Sequence, residues 1–200
     1  MEFDLAGEHQ KLAYKLLAGL VTPRPIAWVT TQDTEGRVNA APFSFFNVLG
    51  TRPPIIGFAP GDKEPGIPKD TARNIRRTGE FVVNLVDEAT AEAMNLTSAE
   101  LDEGESEIPF AGLHLEPSVV VKPPRIAESP VALECREWST MEIGSNRLVI
   151  GVVHRLWVRD GVLNPDTLLV DSSVFHPIGR MEVPASYCRT RDRFDMPRPE

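Results

Sequence analysis

Two short stretches carry residue types at spacings that suit ligand chemistry. The first is Pro68-Lys69-Asp70-Thr71-Ala72-Arg73-Asn74-Ile75. Asp70 or Thr71 is expected to cap a helix here, the usual role of an oxygen-bearing side chain at a first turn. Lys69 opposes the helix dipole, which costs roughly 0.3–1 kcal/mol. A bound anion would reverse that cost, receiving the free backbone N–H groups, the Thr71 hydroxyl and the Lys69 ammonium together. A lysine swung into water also avoids it, and the spacing leaves both readings open. The second stretch is Asn39-Ala40-Ala41-Pro42-Phe43-Ser44-Phe45-Phe46-Asn47. Alternation sends Phe43 and Phe45 to one face and Ser44 and Phe46 to the other. Small Ala40 and Ala41 let a planar ligand approach the backbone, and Pro42 interrupts sheet pairing. Read alone, this is as consistent with a bulged core strand. Together the two stretches suit a phosphorylated planar cofactor.

Other chemistries lack their signatures. There is no Gly-x-Gly-x-x-Gly and no Walker loop, so neither common nucleotide cradle is present. His-Glu-x-x-His, Cys-x-x-Cys and Gly-x-Ser-x-Gly are also missing. His9, His114, His154 and His176 are scattered without ligand spacing, so no metal role is assigned to them. Cys135 and Cys188 lie far apart and read as two reduced thiols of a cytoplasmic protein.

The elements that must position these residues are short. Eighteen prolines and 14 glycines cut the chain into small segments, which argues against a helical bundle. Residues 10–20 have leucines at helical spacing, and Thr22-Pro23-Arg24-Pro25 stops that helix. Residues 26–31 and 38–46 read as a hairpin around Asp33-Thr34-Glu35-Gly36. Further strands are expected at 54–58, 81–86, 118–121, 131–138 and 147–158, with a helix over 70–77 stopped by Gly79. Residues 87–107 hold eight acids and no base. Their first half, 88–99, suits a helix, and 100–107 reads as a solvated loop in preference to a lid over the pocket. The tail over 177–200 reads as irregular and contains five arginines. Many short strands and a few small peripheral helices predict a mainly β domain, most naturally a barrel.

Composition sets the outer bounds. Two hundred residues favour one domain over 1–200. The formal net charge of −8 disfavours nucleic acid or an anionic membrane as partner. No apolar run approaches the ~20 residues of a membrane helix, and the N-terminus has acids where a secretory signal has bases.

The sequence resembles the flavin reductase-like, FMN-binding split-barrel family over residues 16–199. The resemblance rests on Pro23-Arg24-Pro25-Ile26-Ala27-Trp28-Val29-Thr30-Thr31, on Asn39 to Asn47, and on Pro53-Pro54 with Phe58. It continues through Lys69-Asp70-Thr71, Asn74-Ile75 and Gly79-Glu80-Phe81-Val82-Val83-Asn84, in the family's order and spacing. It implies a Greek-key split β-barrel, a homodimer, and FMN held noncovalently near the subunit interface. By the same resemblance, Trp28, Thr30 and Thr31 border the flavin. Ser44, Phe45, Phe46 and Asn47 contact its ring and ribityl chain, and Lys69, Asp70 and Thr71 lie at the phosphate. Arg24 and Asn74 complete the expected set. Family members often carry Arg-Leu-Gly-Gly before a tyrosine near the C-terminus; here Arg180-Met181-Glu182-Val183 precedes Tyr187, so the glycine pair is replaced.

The implied activity is hydride transfer from NADH or NADPH to flavin, which needs alignment and no side-chain acid or base. A flavoredoxin-like FMN carrier that does not oxidise NAD(P)H is the alternative, and the missing dinucleotide fingerprint favours it. A split barrel holding pyridoxal phosphate, haem or nothing is a third reading, separated by an absorption spectrum.

Overall fold

The fold was taken from a computed structural model, which describes residues 1–99, 101 and 105–199. Seven strands form one antiparallel sheet: β1 (Ala27–Gln32), β2 (Val38–Phe43), β3 (Phe46–Thr51), β4 (Pro54–Phe58), β5 (Glu80–Leu85), β6 (Val131–Ile143) and β7 (Asn146–Val158). Their spatial order is β2-β1-β5-β6-β7-β4-β3. The outermost strands, β2 and β3, are consecutive in sequence and joined only by Ser44 and Phe45. Three Cα–Cα steps separate Phe43 from Phe46 and reach no more than about 11 Å, so the sheet must curl until its edges meet at that corner. They meet there without pairing, which makes the barrel a split one.

The interior is filled from six of those strands and a helix. Ala27 and Val29 of β1, Phe43, Ile56, Phe58, Phe81, Val83, Cys135 and Val149 form one buried cluster. The ring of Phe58 lies 5.4 Å from that of Phe43 and 5.6 Å from that of Phe81, tilted in both cases. Ile75 joins the cluster from helix α2 (Asp70–Thr78), which closes one end of the barrel. Gly151 on β7 faces the Phe81 ring, and a Cβ there would collide with it.

A second apolar cluster covers the outside of β1. Trp28 packs there with Ala40, Met94 of α3 (Ala91–Leu96) and Ile108 of α4 (Glu107–Phe110). Helix α1 (Ala13–Leu20) runs ahead of β1, after a 3-10 turn at Gln10–Leu12. Arg24 fastens it: the guanidinium donates to the carbonyls of Ala18, Val21 (2.7 Å) and Met181 (3.0 Å). These include carbonyls that the end of a helix leaves without partners.

Several sequence expectations are corrected. Residues 118–121 form bends, not a strand, because the buried Glu134 carboxylate accepts the amides of Val119 (3.0 Å) and Val120 (2.6 Å). A side chain there supplies what a neighbouring strand would have supplied. The helix expected over 88–99 is shorter, Ala91–Leu96. Lys69 itself occupies the N-cap of α2, one position before the expected residues, and it makes no side-chain capping bond. Alternation through Phe43 to Phe46 breaks because the chain crosses between two sheet edges. Phe43 is buried and Phe46 packs against the barrel core, while Phe45 is 41% exposed. The tail is not wholly irregular, since Ile178–Arg180 pairs with Tyr187–Arg189. In the acidic stretch, Glu100 and residues 102–104 lie outside the described residues. Glu107 is not solvated: it opens α4 and is 8% exposed.

Candidate functional site

A shallow, open cleft with a volume of about 110 Å³ lies between the free edge of β2 and the N-terminus of α2. Asn39, Ala41, Pro42 and Phe43 line it together with Lys63, Lys69 and Thr71, and so do the carboxylates of Asp70, Glu105 and Glu107. The edge is free because β2 pairs only with β1. Pro42 lies on it and has no N–H, so another strand gains little by adding there.

At the α2 end, Lys69 makes no side-chain cap, so the first-turn amides have no side-chain acceptor from that position, and the Asp70 carboxylate lies in the same turn. Among the described residues, neither Lys63 nor Lys69 sits in an ion pair, although the chain is acidic overall. Asp70 is turned to its own helix and pairs with Arg73. Lys63 is carried by a hairpin, Asp62–Glu64 with Ile67–Pro68, whose position is set by charge. Buried Asp62 faces Arg147 of β7 at 2.9 Å. Arg147 also meets Glu142 at 2.7 Å, and Glu142 meets Arg76 of α2 at 3.1 Å.

A polar network floors this end. The Thr71 hydroxyl donates to Asn39 Oδ1 (2.9 Å), and Asn39 Nδ2 donates to Glu107 Oε1 (2.8 Å). The Ala40 amide donates to Glu107 Oε2 (3.0 Å), and Asn74 Nδ2 donates to Thr31 Oγ1 (3.1 Å). Burial is the main influence on the Glu107 carboxyl and pushes its pKa up; nearby Asp70 pushes the same way, and the donated hydrogen bonds oppose both.

The expected site residues fall into three groups. Lys69, Asp70 and Thr71 stand together at the cleft, with Asn74 buried just behind them. Ser44, Phe45, Phe46 and Asn47 form the β2–β3 corner; Phe46 faces the core, and Asn47 is exposed with its Oδ1 accepting the Val48 amide. Trp28, Thr30 and Thr31 are wholly buried. The Trp28 indole N–H donates to Thr97 Oγ1 (2.9 Å), and the Thr30 hydroxyl donates to the Pro124 carbonyl (2.6 Å). Their side chains therefore back the cleft wall and do not open into it. Arg24 is likewise 8% exposed, reaching Ser44 Oγ at 3.5 Å. Sequence reasoning did not single out Lys63, Asn39 or Glu107 as site residues. Asn39 lay within a stretch already noted, whereas Lys63 and Glu107 sit in a loop and an acidic run with no local signal.

The donor set fits a phosphate: two ammonium groups and the first turn of α2 line the same cleft as Ala41, Pro42 and Phe43. The Thr71 hydroxyl is already committed to Asn39 Oδ1. From Asn39 to Phe43 the extended strand covers about 13 Å.

Fold and site thus define a split-barrel protein with a cleft between an edge strand and a helix N-terminus. Residues 19–179 match the family described as the flavin reductase like domain, and the chain belongs to that family. A protein of Deinococcus radiodurans is 44% identical over 98% of this chain and 88% of its own. Nitrilotriacetate monooxygenase component B of Bacillus cereus superposes with a TM-score of 0.92 at 32% identity, covering 98% of each chain. The 2-nitrobenzoate 2-nitroreductase of Pseudomonas fluorescens superposes with a TM-score of 0.88 at 36% identity, covering 100% of this chain and 96% of that one. No helix among the described residues is long and apolar enough to cross a membrane.

Proposed function

We propose that the protein is an FMN-dependent oxidoreductase of flavin reductase type, which uses NADH or NADPH to reduce its flavin. The observation that carries this reading is that Lys63, Lys69 and the uncapped α2 N-terminus line the same cleft as Ala41, Pro42 and Phe43 of the β2 edge. Family membership supports the flavin, and so do the similar monooxygenase component and nitroreductase. A bound flavin supplies the two-electron chemistry.

The chain's own residues supply position. Lys63, Lys69 and the α2 amides would hold the phosphate, with Thr71 fixing Asn39 behind them. Glu107 fixes Asn39 and the Ala40 amide, and so fixes the edge along which the rest of the cofactor would lie. Ala41, Pro42 and Phe43 exclude water from that edge, which strengthens every polar contact made beside it. No side chain is assigned as acid or base.

Fluorescence titration with FMN tests the cofactor: saturable quenching supports the reading, and protein that leaves FMN emission unchanged defeats it. A carrier that holds FMN without oxidising NAD(P)H is the second reading, favoured by the missing dinucleotide fingerprint. Steady-state oxidation of each nicotinamide separates them, since turnover no faster than free FMN points to the carrier. The same proposal includes a homodimer. Val48 (61% exposed) and Leu49 (50%) lie on edge strand β3 beside Phe45, an apolar surface that a second copy would cover. Light scattering at the mass of one chain would remove that part.

A further inference from the structure

A second cleft, of about 330 Å³, shares Pro42, Phe43 and Ser98 with the first. Tyr14 and Tyr187 stand at its exposed margin, Phe43, Ile26 and Met94 line it deeper, and Ser44, Asn95 and Ser98 add polar groups. Arg180 is its one cationic lining residue. The guanidinium lies over the Tyr187 ring, 4.7 Å from its centroid, and donates one N–H to the Pro184 carbonyl. Among the described residues Arg180 has no carboxylate partner, whereas Arg189 and Arg191 of the same tail both pair with Glu88. Its backbone is fixed by two hydrogen bonds with Arg24, of 3.0 and 2.8 Å.

We propose that this cleft is the subsite for a second substrate, a planar aromatic carboxylate, with the carboxylate on Arg180 and the ring between the aromatic and apolar walls. A guanidinium fork matches a carboxylate in shape and charge. One cation balances one negative charge. A doubly charged phosphate suits the first cleft, where two lysines stand. Aromatic lining from Tyr14, Phe43 and Tyr187 beside the guanidinium favours a ring over a small hydrated anion. The replaced glycine pair, Glu182 and Val183, falls in the turn between the hairpin strands that carry Arg180 and Tyr187, so this part of the family pattern shapes the subsite. The role as second-substrate site rests on the proposed flavin chemistry, because the two clefts adjoin at Phe43.

The test is calorimetric titration with benzoate, and with neutral benzamide, of FMN-loaded and FMN-free protein. FMN affinity is measured first by fluorescence, so loss of the flavin reading shows up separately from loss of this one. Wild-type protein is expected to bind benzoate roughly tenfold or more tightly than benzamide. Arg180→Gln should bring benzoate down to the benzamide level without changing FMN affinity. Tyr187→Leu should weaken both ligands, and it keeps the question open to test if Arg180→Gln fails to fold. The proposal is overturned if wild-type protein does not bind benzoate, or binds it equally well after Arg180→Gln. It is also overturned if Arg180→Gln changes only FMN or NADH affinity.

Discussion

Strands β1 and β2 are two arms of one hairpin, paired residue for residue from Ala27–Phe43 to Gln32–Val38, yet their surroundings differ completely. β1 lies between β2 and β5 and is buried on both faces, so Trp28, Thr30 and Thr31 all end on internal partners. β2 has one free edge, and that edge is the cleft wall. Adjacent strands can thus carry equally suggestive polar and aromatic residues while only one of them meets solvent. An interior strand must satisfy its polar groups inside the protein, and an edge strand leaves some for a ligand.

The largest effect should fall on β1. Trp28→Ala removes a fully buried ring and leaves Thr97 without its donor, so a loss of about 3–5 kcal/mol is expected in chemical denaturation. A stable variant that had merely lost flavin would show that Trp28 belongs to the site, and the contrast between the strands would fail. On the cleft side, Lys69→Ala should weaken FMN binding by roughly ten- to a hundredfold, since one charged hydrogen bond contributes about 1.5–3 kcal/mol. Unchanged affinity, read by fluorescence quenching, would put the phosphate elsewhere.

Gly79→Ala tests whether α2 has to be held in register with β2. Gly79 ends the helix at φ +70°, with open space where a Cβ would go. The cost is therefore backbone strain alone, about 1 kcal/mol in thermal unfolding with FMN affinity almost unchanged. The smallest effect concerns Glu107. Its folded pKa is raised, so the folded state binds the proton more tightly than the unfolded state does. Stability should fall as pH rises from the ordinary carboxylate range through the raised value, and Glu107→Gln should flatten that slope. Glu107 shares the cleft with Asp70, Glu105, Lys63 and Lys69. FMN binding should therefore tighten as pH falls through the same window, and the glutamine variant should lose that dependence in titrations at two pH values.

Much of the fold was legible locally. The hairpin over β1 and β2, strand β4, and α2 with its glycine stop follow from β-branched runs, turn residues and capping chemistry acting within a few residues. The strand expected over residues 118–121 failed because its amides are satisfied by Glu134, a side chain from another strand. The solvated reading of Glu107 failed for a related reason, since Asn39 and Ala40 make its burial tolerable from 67 or more positions away.

From the order of its residues alone, the chain determined a β-rich barrel with a helix whose start suits an anion, because those features depend on near neighbours. Tertiary structure decided the rest. A two-residue link between Phe43 and Phe46 forces the outer strands together, and that closure selects which edge stays unpaired. Ion pairs of Asp62 with Arg147 of β7, and of Glu142 with Arg147 and Arg76, dock onto the sheet the short hairpin that carries Lys63 and leads directly into Lys69. Contacts between distant segments depend on how the whole sheet curls, and no local pattern of residues specifies that.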